Sequence, residues 1–115
     1  MTKHSFLLTY SVKAESTYES DKKKADDVRR EIAQITNWNK YSDVETTFTG
    51  EFEVPLYVDG SEAIKERCTK VIKTEFSKIL RSNSVDDKDV KIYCVLAVNN
   101  VDKPFEFSVV YSDIS

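Results

Sequence analysis

The chain has 115 residues, 40% of them apolar and 32% charged, with a formal net charge of −3. That length closes one hydrophobic core, so a single domain over residues 1–115 is expected, and the composition is too apolar for a disordered chain. The negative balance gives no global attraction to nucleic acid, two glycines are too few for a phosphate-cradling loop, and neither a membrane-spanning apolar run nor a charged-then-apolar leader is present. A cytoplasmic chain with no membrane association is expected.

Ser5 to Lys13 places Phe6, Leu8, Tyr10 and Val12 on one face of a strand. A polar loop, Ala14 to Ser20, leads to a helix capped by Ser20 and running to about Thr36, with Asp21 suited to its dipole. Ala25, Val28, Ile32 and Ile35 form its apolar stripe.

From Val44 to Val58 the even positions are apolar, Thr or Gly, and the odd ones are mostly Glu, Thr and Asp. As one strand this stretch would span about 50 Å, long for a domain of this size. A hairpin with the loop Thr49-Gly50-Glu51 sets Phe48 opposite Phe52 and keeps the even positions on one face. The alternative is a single strand bent at Gly50. In either case Glu45, Glu51 and Glu53 face outward.

A second helix follows, capped by Ser61 and running to about Ser82, with Ile64, Cys68, Val71, Ile72, Phe76, Ile79 and Leu80 along its buried side. Val90–Val98 alternates as a strand that is apolar on both faces from Tyr93 onward, which suits a central position or a partner. Phe105 to Tyr111 is the last strand. The order β-α-β-β-α-β-β predicts a ferredoxin-like, split β-α-β sandwich of the α+β class, with an antiparallel sheet and two helices on one face.

Few residues suggest catalysis. His4 is the only histidine, in an N-terminus expected to fray, so neither a triad nor a His-based metal site is available. Asp86, Asp87 and Asp89 lack the spacing of a calcium loop and read as a solvated turn. Cys68 and Cys94 lie in apolar-periodic segments and read as buried, reduced thiols. Glu45, Glu51 and Glu53 read as solvated acids rather than an acid–base pair. No metal or cofactor is expected, and the chain leans away from being an enzyme.

Charge is distributed more informatively. The two predicted helices carry eleven Lys or Arg against seven acids, leaving the remainder of the chain acidic. Lys22, Lys23, Lys24, Arg29 and Arg30 are the candidates for phosphate contact. Glu45, Glu51 and Glu53 are the alternative, as contacts to a protein partner. The outward positions of the sheet offer only Tyr57 and Tyr93 as stacking platforms, which argues against base stacking on the sheet.

Trp38 after the first helix, the Thr47-Phe48 step and Ser61-Glu62-Ala63-Ile64 at the second helix resemble a known pattern. It is similar to the small ferredoxin-like family that contains the CRISPR adaptation nuclease-like subunit, the SinR-like proteins and the GhoS antitoxin ribonuclease. The resemblance implies a homodimer through sheet edges or C-terminal strands, and RNA or DNA as partner. The metal-dependent members carry an acid after the first-strand Tyr, whereas this chain has Ser11 after Tyr10. Metal-dependent nuclease activity is therefore not expected. The expectation is a dimeric nucleic-acid-associated regulator, antitoxin- or defence-linked; the alternative is a protein-binding inhibitor or adaptor, phage- or plasmid-encoded, that uses an acidic sheet face.

Overall fold

The computed structural model describes residues 2–36, 38–40, 46–55, 60–83, 85, 89–99 and 101–112. Strand β1, Thr2–Ala14, is the longest strand and lies at the centre. Its Phe6, Leu8, Tyr10 and Val12 are buried while Ser5, Leu7 and Ser11 face outward, as the alternation predicts. His4 is also buried, its Nδ1 3.2 Å from the Asn99 carbonyl oxygen, so the expectation of a frayed N-terminus is corrected.

Helix α1 spans Glu19–Ile32 and buries Asp21, Ala25, Val28 and Ile32. It stops short of Thr36, and the residue that caps it is Tyr18, without a side-chain cap bond. Ser20 lies inside the first turn instead. The preceding loop is held by Ser16, whose hydroxyl accepts from the Tyr18 N–H at 3.2 Å and donates to the buried Asp21 carboxylate.

Strand β2 is the two-residue segment Asn39–Lys40, and β3 is Thr47–Val54. The expected hairpin at Gly50 is corrected: β3 runs straight through that position, and all its residues pair with β1 from Thr9 back to Thr2. The hairpin partner of β3 is β2, with Asn39 opposite Thr49 and Lys40 opposite Phe48. Val44, Leu56 and Tyr57, also assigned to the predicted hairpin, lie outside the described residues.

Helix α2, Ser61–Ser82, matches its predicted span, with Gly60 at φ 92° as N-cap and Ser61 as the first helical residue. That backbone angle is one a side chain rarely adopts, which accounts for glycine there. Strands β4, Val90–Val98, and β5, Phe105–Val109, complete the sheet.

All pairings are antiparallel, in the order β2-β3-β1-β4-β5. The molecule is thus an α+β domain with a five-stranded antiparallel sheet and two helices. Helix α1 packs on β1 and β4, and α2 on β3, β5 and α1. The inward rows of all four longer strands are covered by this helical layer, and the odd-numbered row of β1 and β4 is left open. Trp38 sits in the core against Phe6, Phe48 and Phe76, with ring centroids 5.5 to 6.1 Å away and edge-on geometry.

Candidate interaction surfaces

The sequence candidates on α1 are mostly occupied. Lys22 pairs with Glu19 at 3.5 Å, Lys24 with Asp89 at 3.0 Å, Arg29 with Asp26, and Arg30 with Asp27 at 3.1 Å. Arg29 also donates from Nη2 to the Val12 carbonyl oxygen at 2.6 Å, tying the helix to β1. Lys23 is exposed. Three of these pairs join residues three apart on one helix, so each cation carries its own counter-charge and the local field is weak.

Helix α2 is different. Arg67, Lys70, Thr74, Lys78 and Arg81 follow one another at spacings of three and four residues, opposite the side buried by Cys68, Ile72 and Phe76. Lys78 lies 3.9 Å from Glu75, and among the described residues Arg67, Lys70 and Arg81 make no ion pair. Glu66 and Glu75 flank the row rather than interrupt it. Lys65 points elsewhere, with Nζ 5.0 Å from the Phe105 ring centroid. The row spans about 21 Å of helix at 1.5 Å per residue. The sequence analysis counted these cations without singling them out, although their spacing was the available signal.

The third surface is the open face of the sheet. Across it, Leu7 is the partner of Ala97, Thr9 of Val95, Ser11 of Tyr93 and Lys13 of Lys91. Leu7, Tyr93 and Val95 are exposed, with 40%, 41% and 38% of their surface open to solvent. Glu51 and Glu53 project from β3 at one end, as predicted, beside Ser5 and Lys3. Glu45 lies outside the described residues. With Lys3, Lys13 and Lys91 on it as well, this face is of mixed charge rather than acidic.

At the other end the Tyr93 hydroxyl donates to Glu15 Oε1 at 2.8 Å, and Lys13 Nζ lies 5.6 Å from the Tyr93 ring centroid. The bond to Glu15 holds the proton on the phenol and raises its pKa above the ordinary 10, with slight burial and the Glu15 charge acting in the same direction. A shallow depression of about 660 Å³ lies here, lined by Ser11, Lys13, Tyr93, Val95, Glu106 and Ser108 among others. It opens broadly to solvent and does not enclose a small molecule.

Among the described residues no three His, Cys, Asp or Glu side chains gather closely enough to hold a metal ion. Cys68 and Cys94 are free and buried, and burial pushes their thiols up to about 11 and about 12. Buried, protonated thiols are poor nucleophiles. The Tyr10 ring is in the core, 5.6 Å from Phe48 and 5.7 Å from Phe76, while Ser11 faces out beside Tyr93. No helix among the described residues is long and apolar enough to cross a membrane. No family model, no curated protein and no solved structure matches this chain.

Proposed function

We propose that this protein is a nucleic-acid-associated regulatory protein whose phosphate contacts come from the outer row of α2. The observation that carries the reading is the run of Arg67, Lys70, Lys78 and Arg81 along one helix face with no acid in the row. Cations on a straight helix contact successive phosphates, and binding of that kind is driven by counterion release. The cations of α1, largely neutralised by their own neighbours, play the lesser part.

We further read the sheet as a ferredoxin-like arrangement. What supports this is that β3 lies between β1 and β2, which run parallel to one another, as in a split β-α-β unit. Strand β5 extends the sheet beyond the four-stranded pattern. The antitoxin- or defence-linked role rests on the resemblance at Trp38, Thr47-Phe48 and Ser61 to Ile64; action in the cytoplasm belongs to the same proposal.

Fluorescence anisotropy with labelled single-stranded RNA and duplex DNA, at low and moderate salt, tests the reading. Binding should fall steeply with salt and weaken about tenfold or more in Arg67→Glu/Lys70→Glu. No binding even at low salt would retire it and direct attention to a protein partner.

A further inference from the structure

We infer that the lysine end of the open sheet face is a binding site for a sugar phosphate, with the sugar ring against Tyr93 and the phosphate on the Lys13–Lys91 pair. The site lies on the opposite side of the sheet from α2 and does not depend on nucleic-acid binding there.

Three successive outward rows build it. The first holds Lys13 and Lys91, the second Ser11, Tyr93 and Ser108, and the third Thr9, Val95 and Glu106. Rows on one face follow one another at about 6.7 Å along the strands, so the lysine pair and Glu106 stand about 13 Å apart. Serine on both sides of Tyr93 leaves space beside the ring, and the depression of about 660 Å³ opens there.

The first row calls for an anion. Lys13 and Lys91 are direct partners, so two like charges stand opposite one another, which is unfavourable until an anion faces them. Among the described residues neither makes an ion pair. Glu15, which accepts the Tyr93 hydroxyl bond, offsets one of the two charges and leaves the other. A phosphate monoester brings nearly two negative charges and three acceptor oxygens to the pair.

The second and third rows call for a polyhydroxylated ring. Tyr93 is exposed, and its bond to Glu15 fixes where the ring stands. An aromatic face carries partial negative charge and attracts the C–H groups of a sugar. Around it, the hydroxyls of Thr9, Ser11 and Ser108 donate or accept, and the Glu106 carboxylate accepts. Lys13 Nζ lies 5.6 Å from the Tyr93 ring centroid, so the phosphate and ring positions adjoin. Inorganic phosphate would engage the lysines and leave the trough empty. An uncharged sugar would leave the lysines facing one another. Because the trough is shallow, the ligand lies along the sheet with its other side in water, and affinity is modest.

NMR titration of the nitrogen-15-labelled chain with ribose 5-phosphate and with glucose 6-phosphate, at constant ionic strength, tests the site. At least one should shift the amide signals of Ser11, Lys13, Tyr93 and Ser108 and saturate with a Kd of about 1 mM. Inorganic phosphate and the uncharged sugars should each bind about tenfold or more weakly. Lys13→Ala/Lys91→Ala should weaken the sugar phosphate about tenfold or more, and Tyr93→Ala should reduce it to the affinity of inorganic phosphate. All these positions are on the surface, and the dispersion of the amide spectrum checks that each variant is folded. Inorganic phosphate binding as tightly as the sugar phosphates would mean an adventitious ion only and overturn the assignment. So would shifts confined to α2, affinity indifferent to both variants, or no shift with either sugar phosphate.

Discussion

The ring of Phe6 lies across the sheet from Gly50, so close that a Cβ at Gly50 would stand 2.8 Å from Phe6 Cε1. Gly50 is therefore required by a neighbour rather than by a turn. The ring fills the space a side chain would occupy, an aromatic covering a strand glycine. It has little freedom to withdraw, since it stacks on Phe52 at 4.2 Å and meets the edge of Trp38 at 5.7 Å. Gly50→Ala should destabilise the fold by about 1–3 kcal/mol, the usual cost of overpacking. In a Phe6→Leu background the same substitution should cost less, and urea denaturation of the four proteins of this cycle measures the coupling. Additive effects would mean that Phe6 does not constrain Gly50.

This contact also shows where the sequence stopped being sufficient. A hairpin with a three-residue loop at Gly50 and a straight strand through it both put Phe48, Phe52 and Val54 on one face, so periodicity cannot choose between them. The choice is made by Phe6, more than forty positions away in the chain, and by pairing to β1 along the whole of β3. By contrast β1, α2 and β4 carry long, regular stripes, from which the spans of α2 and β4 were legible, while β1 begins at Thr2 rather than Ser5 and Val71, placed on the buried side of α2, is exposed. Helix caps fell one or two residues from their expected positions, since Tyr18 and Gly60 take the roles expected of Ser20 and Ser61. At the candidate surfaces, the acids that neutralise Lys22, Arg29 and Arg30 lie three residues away and were readable. The bonds from Lys24 to Asp89 and from Arg29 to Val12 join distant parts of the chain and were not.

The buried thiols predict an alkaline limit to stability. Cys68 and Cys94 ionise at about 11 and about 12 in the folded chain, against an ordinary 9.0 once exposed. Burial opposes the thiolate at both sites; at Cys94 the positive charge of Lys73 acts weakly the other way. Above about pH 9 the unfolded chain releases protons that the folded chain keeps, so stability falls as pH rises toward the folded values. Replacing both cysteines by Ala should flatten the fall between pH 9 and 11 in urea titrations, whatever its effect at neutral pH. At pH 8 a thiol reagent such as dithionitrobenzoate should label neither cysteine until the protein is denatured.

Tyr93 gives a second, local titration. Its hydroxyl donates to Glu15, so the folded chain holds the phenol proton to a higher pH than free tyrosine does. The stabilisation from this bond is present below pH 10 and is lost as pH rises through the raised value. Glu15→Gln removes the charge and should bring the titration of the Tyr93 ring, followed by carbon-detected NMR, back toward 10. An unchanged midpoint would show that the Glu15 carboxylate is not what holds the proton.

Arg29 and Arg30 are adjacent on α1, and both belong to the sequence candidates for phosphate contact, yet they should behave differently when removed. The Arg29 guanidinium divides its donors between the Asp26 carboxylate and the Val12 carbonyl, so it fastens the helix to the central strand. Removing it strips the Val12 oxygen of a charge-assisted partner, and Arg29→Ala should cost about 1–3 kcal/mol. Lysine at this position carries the charge without the planar fork and should restore only part of the loss. Among the described residues Arg30 pairs with Asp27 alone, on an exposed helix surface, and Arg30→Ala should change stability by no more than about 0.5 kcal/mol. Urea denaturation separates the two. The contrast also decides how binding data are read: lost affinity in an Arg29 variant mixes unfolding with lost charge, whereas the exposed cations of α2 report on charge alone. Equal and negligible effects at both positions would remove Arg29 from the framework and return it to the surface field.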